Sequence, residues 1–448
     1  MDASIAKPAT QQADAVPFAE ALRVWFKIGC LGFGGPAGQI ALMHRIIVDE
    51  KKWVDEARYL HALNFCMLLP GPEAQKLATY VGWLLHGTRG GLVAGILFVL
   101  PGAFVMLAMS LLYALGRGVP VVDGALFGIK AAVLVIVVEA LLRIGRRALT
   151  TRPLVALAGA AFVGIFFLDL PFPLIVAASG AIGYFVAKHS PALLGLKSGA
   201  QYPSEPIPDR WRQATRAMVW GVLLWWAPVG IVVLALGPSH VLVDIGVFFS
   251  KLAVVSFGGA YALLAYMAQE AVETYRWMTA PEMVDGLGLA ETLPGPLIKV
   301  TQFVGFLGAY RDAAPFSPVT AGIVGSIITT WVTFVPPMLL IFAGAPFVEQ
   351  LRANQRISGA LAAITAAVVG VILNLTIWFV LHVLFAHIVE VRSRPLRWYS
   401  FDPLMLDLKA AALAILAAVL AFRFHRGLIE LVVVMAALGI AVRFAFAT

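Results

Sequence analysis

Apolar residues run along this chain in long blocks, with polar residues gathered in short gaps between them. A membrane-spanning helix needs about 20 predominantly apolar residues. Blocks at 91–115, 124–142, 171–187, 217–236, 319–343, 359–385 and 428–444 meet that need, and 154–168 and 410–422 are shorter ones. Four more stretches, 18–45, 59–86, 241–273 and 283–310, are apolar but broken near their middles by Gly or Pro. The runs are continuous and do not alternate with period two, which excludes a β-barrel. The pattern predicts an all-α polytopic membrane protein.

A polar stretch at 188–216, rich in Ser, Pro and charge, reads as a linker between two halves. The halves repeat each other. Phe33-Gly34-Gly35 recurs as Phe257-Gly258-Gly259, Trp53 as Trp277, and Pro70-Gly71-Pro72 as Pro294-Gly295-Pro296, each 224 residues on. Pro101 then matches Pro336, and Lys130-Ala131-Ala132-Val133 matches Thr365-Ala366-Ala367-Val368, both 235 residues on. The second copy therefore carries an insertion near 311–318. The expected organisation is a polar tail at 1–16, a first half at 17–187, a cytoplasmic linker at 188–216, an extra span at 217–240 and a second half at 241–448. If the broken stretches are re-entrant hairpins, the one extra span inverts the second copy. Loop charge partly agrees: Lys51, Lys52 and Arg58 share one loop, whose repeat near 273–282 carries only Arg276. The loop with Arg392, Arg394, Arg397 and Lys409 disagrees, because inversion puts it outside.

Composition strengthens the membrane reading. The 448 residues are 60% hydrophobic and only 13% charged, against roughly 25% charged in a soluble domain. A net charge of +8 fits basic cytoplasmic loops and gives no reason to expect nucleic acid. Residues 1–16 lack the apolar core of a cleavable signal, so the first apolar segment is expected to start insertion. Cys30 and Cys66 make neither a disulfide framework nor a zinc site, and the scattered histidines lack metal-ligand spacing. No metal or other cofactor is expected. Walker, Rossmann and nucleophile-elbow motifs are absent, so neither ATP use nor an enzyme is indicated.

The chemistry is expected at the breaks. Broken helices persist in lipid only where their backbone is buried in protein or lines an aqueous cavity. Each break should end one short helix and start another, at Ala37, Glu73, Tyr261 and Leu297. A helix N-terminus offers free N–H donors and about half a positive charge, so four converging ends suit an anion. Gln39, Gln75, Lys76, Lys299, Thr301 and Gln302 follow the breaks closely enough to take part. Glu73, Lys130, Glu139 and Glu291 are candidate coupling or charge-partner groups, since intramembrane charge usually has a task. Packing kinks and snorkelling lysines are the competing explanation.

These residues resemble the chromate ion transporter family, in its long two-domain form. The likeness rests on Phe26-Lys27-Ile28-Gly29, Phe33-Gly34-Gly35-Pro36, Trp53, Leu69-Pro70-Gly71-Pro72, Gln75 and Gly82, repeated from Phe257 to Gly305. It implies export of chromate from the bacterial cytoplasm across the inner membrane, driven by the membrane gradient, with sulfate as competitor. Two departures point to an asymmetric site: Ala260 stands for Pro36, and Leu297 for Glu73. The rival readings are an uptake carrier or antiporter for sulfate or another oxyanion, and a membrane enzyme acting on a phosphorylated lipid. The lipid bilayer and the oxyanion are the expected partners, and a homodimer is the assembly to test.

Overall fold

The computed structural model describes residues 16–116, 118–196, 210–257, 260–347, 354–385, 387–393 and 396–445. Among them are sixteen α-helices. The first half holds α1 Phe18–Leu31, α2 Gly35–His44, α3 Glu56–Leu68, α4 Glu73–Gly116, α5 Pro120–Ala148, α6 Arg152–Phe166 and α7 Phe172–His189. After α8 Arg210–Leu236 come α9 Val241–Val254, α10 Ala260–Gln269, α11 Ala280–Thr292, α12 Val300–Arg311, α13 Pro318–Gly344, α14 Gln355–Leu384, α15 Leu408–Ala418 and α16 Leu428–Ala445. Seven are long and apolar enough to cross a membrane, namely α4, α5, α7, α8, α13, α14 and α16, and α6 is a shorter apolar helix. The protein is a multi-pass membrane protein. On α8 the large apolar side chains Trp220, Leu223, Ile231 and Leu234 face outward, as a helix in lipid requires.

Local chemistry sets the helix ends. Asp55 caps α3 by accepting from the Arg58 N–H, and Ser317 caps α13 by accepting from the Thr320 N–H. Thr279 and Glu282 form a capping box at α11. Proline opens α5, α6, α7, α11 and α13 within the first two positions, where its missing N–H costs nothing.

The two halves share a plan beyond the motifs. In each, a π-helical turn follows the short helix after the first break, at Arg45–Glu50 and at Glu270–Thr274. Each turn leads to a residue of positive φ, Lys52 at 53° and Arg276 at 54°, again 224 positions apart. The apparent single helix α4 is two limbs that reverse at His86 and Gly87. The limbs run antiparallel in contact, so that a Cβ on Gly82 would lie 2.5 Å from the Gly90 carbonyl oxygen. In the second half α12 and α13 form the same hairpin, with Gly325 against the Gly305 carbonyl. The short limb extends only half the length of the long one, so each Pro-Gly-Pro break lies level with the long limb's middle.

Contacts at the helix ends fix the direction of each half. In the first, Lys51 Nζ bonds to Glu20 at 2.7 Å and His86 Nε2 lies 2.7 Å from Val16 O. The start of α1, the end of the π turn after α2 and the α4 reversal therefore share one end of the molecule. Tracing α5, α6 and α7 back and forth brings the chain after α7 to that same end, where Thr151 Oγ1 bonds to Leu193 O at 2.7 Å. Helix α8 starts there too, with Trp211 against Phe347 at 4.7 Å, and leads to the opposite end. At that opposite end His240 Nε2 lies 2.8 Å from Ala314 O, and Arg311 Nη1 donates to Trp277 O at 2.7 Å. The first half's re-entrant hairpins thus open at one end and the second half's at the other. The repeat is inverted, through the single extra span that parity required.

Two local features add to the helical plan. The loop after α14 is a β-hairpin, β1 Ile388–Ser393 antiparallel to β2 Leu396–Phe401 with Val391 opposite Trp398, an exception to the all-α reading. Two of its arginines, Arg392 and Arg397, are paired with carboxylates, which reduces the conflict with loop charge. Arg397 Nη1 lies 2.7 Å from Asp169, and Arg392 Nε 2.7 Å from Glu390. Arg394 lies outside the described residues. Trp277, the repeat counterpart of Trp53, is buried and stacked on Tyr275 at 4.4 Å.

Candidate substrate site

The four breaks interlock at the centre, each half's Pro-Gly-Pro meeting the other half's Phe-Gly-Gly approach. The Gly71 N–H donates to Ser256 O at 2.8 Å, and the Gly295 N–H donates to Gly32 O at 2.9 Å. Donors and acceptors in these bonds are each 224 positions apart, so the contact is reciprocal, as across a two-fold axis. The long limbs join in. Gly71 lies against the Pro337 ring of α13, and Gly295 against Gly102 of α4.

Around this crossing the sequence-expected residues separate. Pro70, Gly71, Gly295 and Pro296 are buried, and Phe33, Gly35, Pro72, Pro294 and Phe257 are partly so. Gly34 is exposed, with a φ of 86° as the N-cap of α2, which starts two residues before the expected Ala37. Gly258 and Gly259 lie outside the described residues. Glu73 starts α4 as expected, and at Leu297 a short 3-10 turn precedes α12. Tyr261 lies one residue inside α10.

The glutamines stitch the crossing together. Gln39 Nε2 donates to Gly32 O at 3.1 Å and Gly295 O at 2.7 Å, bridging the halves. Gln75 Nε2 reaches Phe334 O at 2.9 Å, and Gln302 Nε2 reaches Ala103 O at 3.0 Å, each again in the opposite half. All three are buried, and their Oε1 atoms have no hydrogen-bond partner among the described residues. Thr301 bonds within its own turn, to Ile298 O at 2.8 Å.

The lysines are fully buried, which removes the snorkelling explanation. Both turn back onto the end of the helix before the break. Lys299 Nζ donates to Leu293 O at 2.8 Å, Pro294 O at 2.8 Å and Gly295 O at 3.2 Å, using all three ammonium protons. Lys76 Nζ donates to Leu69 O. Each ammonium therefore offsets the negative carbonyl end of α3 or α11 and leaves the positive ends of the following helices less opposed. Glu73 and Glu291 are near enough to act electrostatically on Lys76 and Lys299 respectively.

The other two charge candidates lie elsewhere. Glu139 pairs with Arg143 one turn along α5 at 3.1 Å, where both are largely exposed. Lys130 is 3.2 Å from Asp285 of α11. Asp285 was not among the sequence candidates, although an acid inside the apolar 283–310 stretch was a usable signal. No group of three or more His, Cys, Asp or Glu residues suited to a metal occurs among the described residues.

Comparison with known proteins fits this geometry. The sequence pattern that defines the Chromate transporter family matches residues 19–184 and 243–442, one region in each half. The chain belongs to the chromate transporter family. It is 33% identical to a chromate transport protein of Pseudomonas aeruginosa over 358 residues, covering 78% of this chain and 77% of that one. It is 27% identical to a probable chromate transport protein of Synechococcus elongatus, over 78% and 81% of the two chains. A chromate transport protein of Cupriavidus metallidurans is 26% identical over 78% and 79%. No solved structure gives a significant match. Both family-matched regions contain a Pro-Gly-Pro break.

Proposed function

We propose that this protein is a secondary active transporter that exports chromate from the cytoplasm, holding the dianion at the central crossing of the four breaks. The observation that carries the reading is the reciprocal pairing of Gly71 with Ser256 and Gly295 with Gly32, which gathers several helix N-termini at mid-height. A dianion in a low-dielectric site needs several donors, because an unpaired buried charge is very costly. The N-terminal turns of α2, α4 and α12 offer main-chain N–H groups, while Lys76 and Lys299 quench the competing carbonyl ends. The unpartnered glutamine oxygens suit water or a cation, so N–H groups are the anion's contacts. Lys76, with fewer carbonyl partners than Lys299, is the ammonium with donors to spare.

The basic end of the molecule, with Lys51, Lys52, Arg146, Arg147, Arg152, Lys188, Arg212 and Arg216, is the cytoplasmic one by the positive-inside rule. In that orientation the first half's hairpins open inward and the second half's outward, the arrangement that alternating access uses. The membrane is then the bacterial inner membrane, and 17–187 and 241–448 are the two transport halves. The test is radiolabelled chromate flux in inverted vesicles, with and without excess sulfate and an imposed gradient. Gradient-dependent accumulation inside the vesicles is expected, with sulfate inhibition measuring selectivity. No accumulation by folded protein overturns the export reading.

A further inference from the structure

One buried ion pair crosses between the halves near the hairpin interface. Asp285 of α11 is 2% exposed and lies 3.2 Å from Lys130 Nζ of α5. It also accepts a 2.9 Å hydrogen bond from the Tyr113 hydroxyl of α4. Phe303 of α12 closes over Tyr113 edge to face at 5.0 Å. Lys130 and Tyr113 belong to the first half and Asp285 to the second, so the cluster ties the two together through charge. Among the described residues, the ionisable groups near the carboxylate include Lys130 from α5, Tyr113 from α4 and, one turn back along α11, Glu282, which pairs with Arg311 of α12 at 2.7 Å.

Two features separate this cluster from ordinary packing. A buried ion pair is weak evidence for stability, since hydrophobic residues of similar volume often serve as well, whereas losing one partner is strongly destabilising. The repeat also builds its scaffold without it: the positions equivalent to Asp285 and Lys130 hold His61 and Thr365, which cannot form a lysine–carboxylate pair. The Lys130 side chain is about a quarter exposed, at 24%, so one partner has a way out of the buried pair.

We propose that Asp285 is the proton-coupling group of this transporter, an inference that rests on the transport reading above. In the structure the pair with Lys130 ties Asp285 to the first half across the interface. A proton taken from one aqueous side adds to the Asp285 carboxylate, the attraction to Lys130 is lost, and the two halves are free to shift. Release of that proton to the other side restores the pair, and Lys130 keeps its charge throughout. Buried carboxylates of this kind recur in proton relays of pumps and transporters.

The test uses the purified full-length chain in liposomes, with labelled chromate flux and a trapped pH dye read in the same sample. Wild type is expected to move protons with chromate. Asp285→Asn is expected to lower the protons moved per chromate at least tenfold, and a ratio equal to wild type overturns the proposal. Lys130→Met is expected to shift the pH midpoint of flux, because it removes the charge that pairs with Asp285. An unchanged midpoint overturns it as well, and covers the case in which Asp285→Asn does not fold. Chromate flux without proton movement in wild type refutes the coupling role alone. Absence of chromate flux in wild type refutes the transport reading itself.

Discussion

Replacing Gly71 with alanine tests whether the interlocked breaks depend on close backbone approach. Gly71 has a φ of 106°, and a Cβ there would sit 2.5 Å from Cγ and 2.7 Å from Cβ of Pro337. The backbone term costs about 1–2 kcal/mol for an L side chain in the left-handed region. Forcing a methyl into a packed contact adds about 1–3 kcal/mol. The total is about 2–5 kcal/mol. Gly35 is the control, because its φ is 67° but nothing lies within 4 Å of its would-be Cβ, leaving only the backbone term. Thermal unfolding in detergent, alongside chromate flux per folded molecule, reads both. Gly71→Ala should unfold well below Gly35→Ala and lose most of its flux. Adding Pro337→Ala to Gly71→Ala removes the Cγ contact at 2.5 Å but keeps Cβ at 2.7 Å, so it should recover a portion of the steric part and leave the backbone part. Equal unfolding temperatures for the two glycine variants, or no recovery on removing the Pro337 ring, would refute the reasoning.

Lys299→Met removes three bonds from an ammonium to main-chain carbonyls, charge-assisted contacts worth about 1.5–3 kcal/mol each before compensation. It should lower folded abundance more than Lys76→Met does, whereas Lys76→Met should cut flux at preserved abundance; wild-type flux in Lys76→Met removes that lysine from the mechanism. Cysteines introduced at the equivalent exposed positions Lys52 and Arg276 should react with an impermeant reagent from opposite sides of the membrane, and labelling from one side would sink the inverted orientation. At the end cluster with Asp169, Glu390, Arg392 and Arg397, the Glu273 carboxyl is pushed up to about 7, first by burial and then by the neighbouring Glu390 charge. Its contribution to stability is therefore full below the ordinary carboxyl range near 4.5 and is lost as pH rises through about 7. Glu273→Gln should flatten the pH dependence of unfolding temperature across that window, and an unaltered slope would show that other groups set it.

Much of the architecture is legible in the one-dimensional pattern, because lipid demands long apolar runs and internally satisfied backbone. Apolar length located the spans, and the fixed spacing of Phe-Gly-Gly and Pro-Gly-Pro exposed the duplication. One unmatched span in the middle then implied inversion by parity alone. Gly and Pro marked the helix breaks because their backbone constraints are local. The β-hairpin at 388–401 went unread, since a 14-residue polar excursion carries little periodic signal beside helices of up to 30 residues.

What the sequence could not supply is which break meets which. Gln39 reaching Gly295, Gly71 reaching Ser256 and Lys130 reaching Asp285 are contacts across 155 to 256 positions, set by how the halves cross and by no local preference. Burial likewise reassigned the charges. By sequence Lys76 and Lys299 were free cations for an anion, whereas in the fold their nearest strong acceptors are the carbonyls ending α3 and α11. The sequence determined that helices break and that the breaks come in two matched sets; tertiary packing decided that each set completes the other, because a buried N–H or carbonyl must find its partner wherever the fold brings one.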